Sequence, residues 1–447
     1  MTNTILTSAS SAIQLWNVLP GYQTLQIEGV GPGGNATGYQ SSTTGGAGGG
    51  GGSYAKRINQ LLTGSSIYYR LPAAGSGLDT WFGDLNLLPQ SNALGTTPWG
   101  VYQIGGVGGY ADPFGTSTAW LFTEVVATST HITYQTQNNG FPTGGLPLNF
   151  RLYAHLGTGT GANARRIEAF LGGQTSGCAW AFDLTGGTSS PNSTAVLSGS
   201  ATNAQAAITT DAWATGASGN GWYLLTGSCT LAAGDTGWQF NFSTDNGTGT
   251  AALAATFLGS TSANVYICGA QVNFGTITKP YVVNNNATPM FAMLAKAGTN
   301  AVTATAGVGQ TGSLGDTIAQ GGNGAVQSSG AGGGGGGAGG PSGAGGNAST
   351  TTGGTADNAV VAGGTVGNVG NSGTEFDGTH GCGSGAGGLA AATAGTGKAG
   401  GSYGGGGGGA SKTTAASAGG AGGASLIVLT PKSLLLPHVR LKQYLRR

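Results

Sequence analysis

Charge is scarce in this sequence. It has 15 Lys and Arg and 14 Asp and Glu in 447 residues, for a formal net charge of +1. Binding nucleic-acid phosphates takes clustered basic side chains, and the one basic cluster lies at the extreme C-terminus, so no nucleic-acid partner is expected. Long apolar runs are also missing: nothing approaches about 18 apolar residues in a row, so no membrane span is expected. The segment Met1 to Pro20 has neither a basic start nor a clean apolar stretch. It does not read as a signal peptide, and the chain is expected to fold in the cytoplasm where it is made. Cysteine is limited to Cys178, Cys229, Cys268 and Cys382, with no Cys-x-x-Cys spacing. These read as reduced, buried thiols rather than a disulfide or metal framework.

Titratable groups are equally sparse, with four His beside the 14 acids. Catalysis needs such groups to converge. Asp183, Asp235 and Asp245 are the acids nearest one another in the central region, but Gly234-Asp235 and Asp245-Asn246-Gly247 are turn chemistry. His131 and His155 lie in apolar, strand-like surroundings and read as packing residues rather than ligands. The run Gly106-Val107-Gly108-Gly109 lacks the strand-to-helix setting of a phosphate loop. No enzyme, metal or cofactor is expected.

Glycine is what the chain has in excess: 94 of 447 residues, or 21%, against about 7% in average proteins. It is unevenly spread, with 46 glycines in the 130 positions of 301–430 but 30 in the 204 positions of 85–288. The aromatics run the other way. Six of the eight Trp lie in 85–288, while 301–430 has only Phe376 and Tyr403. These opposed gradients place boundaries near residues 84 and 288. Four parts result: 1–84 and 289–430, both glycine-rich, an aromatic-rich region 85–288 between them, and a basic amphipathic tail 431–447.

No amphipathic helix stands out, and Ala162 to Phe170 is the one weak candidate. The fold class expected is all-β. In the central region short strands are expected at Ala119–Val126, His131–Gln135, Phe150–Ala154, Cys178–Leu184, Trp222–Leu231, Trp238–Phe242 and Asn264–Val272. Clusters of Gly, Asn, Ser and Thr separate them, which suggests a sandwich or jelly roll. In the outer parts Leu25–Val30 and Leu426–Leu429 read as strands. The glycine arrays Gly332–Gly337 and Gly404–Gly409 have no strict Gly-X-Y period, which excludes collagen. Without Cβ, extended polyproline-II-like segments can lie close together and hydrogen-bond laterally, so an ordered sheaf is expected over 298–423 rather than a linker.

The outer parts resemble the glycine-rich domain of phage tail-fibre and receptor-binding proteins. The elements are an opening strand Leu25–Val30, a glycine run into Gly48–Ala55, and Ile67–Gly83 with Trp81-Phe82-Gly83. The array 298–423 and the closing strand Leu426–Leu429 complete them. The central part resembles the carbohydrate-binding-like β-sandwich of phage tail and head-spike proteins. It does so through Asn86-Leu87-Leu88-Pro89-Gln90-Ser91, Gly221-Trp222-Tyr223 and Val265-Tyr266-Ile267-Cys268-Gly269-Ala270-Gln271, with Cys268 where that module often has Trp. The resemblance implies a glycine-rich domain with a jelly-roll-like sandwich inserted in it. It also implies a virion surface fibre or spike protein, often homotrimeric, that attaches to a host glycan or outer-membrane component. The alternatives are a capsid spike, decoration or neck protein without a receptor role, and a polysaccharide depolymerase.

A pyranose binds by stacking its apolar face on an aromatic ring. Trp222 and Trp238 sit within strands and read as core. Trp99, Tyr110 and Trp213 lie in loop-like sequence and are the candidate glycan contacts, joined by Phe376, His380 and Tyr403, which stand out among small residues. The tail alternates Arg440, Lys442, Arg446 and Arg447 with apolar residues including Tyr444. It is expected to dock on another virion protein.

Overall fold

The computed structural model describes residues 3–7, 10–18, 24–38, 44–62, 65–137, 145–157, 166–184, 193–210, 221–244, 256–276, 278–412 and 417–432. The described residues are all-β, with no helix among them. None therefore offers a helix long and apolar enough to cross a membrane. The chain divides into two compact units. One joins Met1–Gly83 to Phe291–Arg447, and the other is the continuous stretch Asp84–Met290. The tail beyond Lys432, with Arg440, Lys442, Tyr444, Arg446 and Arg447, lies outside the described residues, as does Trp213.

In the discontinuous unit, a five-stranded sheet runs in the order Thr4–Leu6, Leu426–Lys432, Thr24–Val30, Tyr54–Leu61 and Thr317–Ala319. Its centre pairs the opening and closing strands antiparallel, from Leu426 opposite Val30 to Lys432 opposite Thr24. Loop-closure entropy grows only slowly with length, so some 400 intervening residues do not forbid this pairing. Leu25, Ile27, Val30, Leu426 and Ile427 are fully buried. Tyr54 sits in a cluster with Val30, Ala338, Ala356, Cys382, Leu426 and Val428. Its hydroxyl donates to Glu28 Oε1 at 2.8 Å, and Lys56 pairs with the same oxygen at 3.1 Å. A second sheet of four strands holds Ser10–Asn17, Ser66–Leu71, Thr80–Asn86 and Met290–Ala295.

The glycine arrays have almost no side chains to bury, and their backbone groups find partners instead. In the segment 46–53, the N–H groups of Gly46, Gly49 and Gly52 donate to the carbonyls of Ala410, Gly407 and Gly404. Those of Gly48 and Gly51 donate to Ala325 and Gly322, and those of Gly50 and Ser53 to Thr299 and Lys296. Its carbonyls at 46, 49 and 52 accept from Gly333, Gly336 and Gly339. Each neighbour is met at every third residue, the repeat of a helix with three residues per turn. The segment 332–338 repeats the pattern, with Gly332, Gly335 and Ala338 donating to Leu389, Ala386 and Gly383. Glycine is needed here for space. A Cβ on Gly48 would lie 1.9 Å from the Gly334 carbonyl oxygen, and neither residue has a left-handed φ.

The continuous unit is a β-sandwich-like pair of six-stranded sheets, every neighbouring pair antiparallel. One has the order Ser193–Gly199, Ser176–Asp183, Arg166–Gly172, Trp238–Thr244, Ile132–Gln137, Gly100–Tyr102. The other has the order Thr202–Thr210, Trp222–Thr230, Pro147–Leu156, Asn264–Phe274, Ala119–Glu124, Ile104–Tyr110. Rings from facing strands meet between the sheets: Phe150 lies 4.9 Å from Trp180 and 5.2 Å from Phe240, and Phe122 lies 5.2 Å from Phe242. Alternation makes this core. Along Trp238–Thr244 every second residue is buried, starting with Trp238. The weak helix candidate Ala162–Phe170 is corrected in its described part: Arg166–Gly172 is a central strand whose Ile167, Ala169 and Leu171 are fully buried. A period-2 apolar face there outweighs helix propensity. All four cysteines are buried and unbridged.

Candidate functional site

Two groups of aromatic residues converge at the surface, one in each unit. The first is a cleft of about 230 Å³ lined by Tyr110, Ala111, His155, Trp222 and Tyr266. It is smaller than the roughly 300–1,000 Å³ of sites that enclose drug-sized ligands, and so suits a single ring. Register builds it. His155 is the penultimate residue of the strand Pro147–Leu156, where Leu148, Phe150, Leu152 and Ala154 turn into the core, so His155 turns outward. Trp222 sits opposite His155 on one neighbouring strand and Tyr266 opposite it on the other. Their ring centroids lie 5.4 Å and 5.8 Å from the imidazole, and Tyr110 continues the row at 5.1 Å from Tyr266. Gly221 permits this approach: a Cβ there would meet His155 Nε2 at 2.7 Å. The His155 Nδ1–H donates to the carbonyl of Leu156.

A loop anchored by Asp112 follows directly on the cleft wall. The Asp112 carboxylate accepts from the N–H groups of Phe114, Thr116 and Thr118 at 2.9, 2.9 and 3.0 Å. It also accepts from the Thr116 and Thr118 hydroxyls. Burial pulls this carboxyl up, but the hydrogen bonds from Thr116 and Thr118 outweigh it and hold it below the usual carboxylate range. The carboxylate therefore closes the turn from Asp112 to Thr118 that follows Tyr110 and Ala111. No Asp, Glu, Lys or Arg side chain lines the cleft.

The second group lies in the glycine-rich unit and gathers Phe376, His380 and Tyr403. The His380 ring stacks on Tyr403 at 5.7 Å and 17°. Its Nδ1 lies 2.7 Å from Asp377 Oδ2. Asp377 also accepts from the N–H groups of Thr379 and His380, and these bonds with the imidazole contact pull its carboxyl down to about 2. Phe376 and Tyr403 pack, half-buried, against the Tyr54 cluster. Tyr403 is tied in by its backbone, its N–H donating to Gly381 and its carbonyl accepting from Gly383. Burial and then the Asp377 charge raise its hydroxyl. The three residues are neighbours because the turn 376–380 and the segment 402–404 meet beside the same array.

Of the residues read from the sequence, Tyr110, Phe376, His380 and Tyr403 stand at these two places. Trp99 does not, and it is corrected as a glycan contact. It is 5% exposed, its indole N–H donates to the carbonyl of Gln90 at 3.0 Å, and its ring packs on Phe240 and Phe242. Trp213 lies outside the described residues. Trp222, read as core, is buried at 5% exposure in a cluster with Ala119, Tyr153 and Cys268, and it also lines the cleft. His155 and Tyr266 were not singled out as contacts by sequence, because strand residues read as packing. The signal available was in Gly221-Trp222-Tyr223 and Val265-Tyr266-Ile267, which each supply one ring. Among the described residues no group of His, Cys, Asp and Glu is placed to hold a metal ion. The sequence matches no protein-family model and no curated protein sequence.

Proposed function

We propose that this chain is a phage virion surface protein, a fibre or spike that attaches the particle to a host glycan or outer-membrane component by binding rather than by catalysis. The observation that carries the reading is the aromatic cleft of Tyr110, Trp222, Tyr266 and His155 on the outer face of a β-sheet. Ring faces and edges stack against the apolar side of a pyranose, while tyrosine hydroxyls and the imidazole exchange hydrogen bonds with its hydroxyls. The half-buried His380–Tyr403 stack offers a second ring surface of the same kind. In this reading the tail 431–447 docks on another virion protein, and the assembled protein is a homotrimer carried on the virion.

The test is attachment. Purified protein is expected to bind host cells and to compete with phage adsorption, and antibody against it to label the tail tip. Protein that does neither, with label confined to head or neck, makes the chain a capsid spike, decoration or neck protein instead. Release of reducing ends from host polysaccharide would make it a depolymerase.

A further inference from the structure

The sandwich ends on each side in open strand edges. One side has Gly100–Tyr102 and Ile104–Tyr110, and the other has Ser193–Gly199 and Thr202–Thr210. No described strand pairs beyond any of them. Exposed sheet edges are normally blunted by charge, proline or short length, because their free N–H and C=O groups recruit another strand. These edges carry no such charge: the sequence has no Lys, Arg, Asp or Glu in 85–111 or in 184–210. Exposed apolar side chains stand on both sides as well. Val101, Tyr102 and Val107 are 46%, 49% and 61% exposed on one side, and Val196 and Leu197 are 41% and 43% exposed on the other.

Strand direction makes the two sides complementary. Each sheet has six strands, all antiparallel to their neighbours, so its first and last strands run in opposite directions. When two copies lie side by side in the same orientation, the last strand of one meets the first strand of the next antiparallel, and the ladder continues unbroken. Register shifts at Gly108/Tyr110 and at Thr202/Gln205 end the regular part of each edge. The regular runs left are Ile104–Gly108, of five residues, and Gln205–Thr210, of six. The shorter strands of the other sheet follow the same rule of direction.

We propose that a second copy of this chain occupies these edges, with Ile104–Gly108 of one copy pairing antiparallel with Gln205–Thr209 of the next. The contact is head to tail, so every copy offers one edge of each kind and a small number of copies can close into a ring. This rests on the sheets alone and not on the glycan reading.

Light scattering of the full chain at about 10 µM is expected to give at least twice the 43.3 kDa chain mass. Val107→Lys and Ala207→Lys each place a charge in one exposed edge, and each variant is expected to be monomeric with an unchanged melting temperature. Mixing the two variants leaves one intact edge of each kind, and the mixture is expected to form dimers and nothing larger. A monomeric wild type, or a single variant that keeps the wild-type mass, overturns the proposal. A mixture that stays monomeric overturns it too.

Discussion

Replacing one interior glycine of the array by valine tests how the glycine-rich unit is held together. At Gly334 a Cβ would lie 2.3 Å from the Thr352 carbonyl oxygen, and at Gly406 it would lie 2.2 Å from that of Gly49. Ordinary contact begins near 3.4 Å, so the neighbouring segment must retreat by roughly 1 Å, enough to forfeit its close contacts. The bonds at risk are the Gly334 N–H to Thr350 and the Ala325 N–H to Gly334, both 2.7 Å, and the Gly406 N–H to Gly336 and Ala386 N–H to Gly406, 2.8 and 3.0 Å. Overpacking costs about 1–3 kcal/mol, and each of two lost bonds about 0.5–1.5 kcal/mol net. Gly334→Val and Gly406→Val should therefore each destabilise the unit by roughly 2–6 kcal/mol, a large share of the ~5–15 kcal/mol that holds a typical domain. Gly378 is the control: it has no left-handed φ and no atom within 4 Å of its added Cβ. Gly378→Val is expected to cost under about 1 kcal/mol. Calorimetry of the full chain reads the cost, with the transitions of the two units followed separately. If the two interior variants melt with the control, the lateral hydrogen bonds do not hold this unit and the reasoning fails.

Acid should act through Asp112 and Asp235. Burial raises both carboxyls, but hydrogen bonds from Thr116 and Thr118, and from Ser176 and Thr175, hold them below the ordinary value. A depressed carboxyl stabilises the fold above its unfolded value of about 3.9, and that contribution is lost as pH falls through the folded value. The melting temperature of the sandwich is expected to hold from pH 5 to 8 and to drop below about pH 4. Asp112→Asn should lower it at pH 7 and flatten part of that drop, and an unchanged profile would contradict the assignment. The thiols should be inert: burial pushes Cys178 up to about 12 and Cys268 and Cys382 well above their usual value. An aromatic disulfide reagent is expected to find no reactive thiol in the native chain and four after denaturation. Rapid reaction in the native state would contradict the packing.

Much of the β-structure was legible because it follows from alternation. Trp238, Phe240 and Phe242 are separated by half-buried residues, Leu25, Ile27 and Val30 come close to alternation with polar Gln26 and Glu28, and Leu426 to Leu429 is an unbroken apolar run. The lateral hydrogen-bonding of the glycine segments could be argued from what glycine lacks. What could not be read is where one strand lies beside another. His155, Trp222 and Tyr266 are more than forty residues apart at the least, and only the register of three strands puts their rings in one row. The edge strands were hidden for a different reason. Ile104–Tyr110 is four-sevenths glycine, which strands disfavour, and Thr202–Thr210 has Ile208 as its one large apolar residue, so neither shows a clear alternation of apolar side chains. Trp99 misled in the opposite way. Its flanking Pro98 and Gly100 read as loop, yet the loop folds the indole back under the sheet onto Phe240 and Phe242.

The central claim is that the cleft takes a sugar ring, and calorimetric titration with oligosaccharides released from the host cell surface tests it most directly. The full chain is titrated beside Tyr110→Ala and Tyr266→Ala, whose side chains pack, half-buried, against the Trp222 cluster. Wild-type protein is expected to bind. Each variant should lose roughly tenfold in affinity, the equivalent of about 1.4 kcal/mol of ring stacking and contact, with no change in melting temperature. Binding that both variants retain in full would contradict the account, and so would a wild-type chain that binds none of the oligosaccharides.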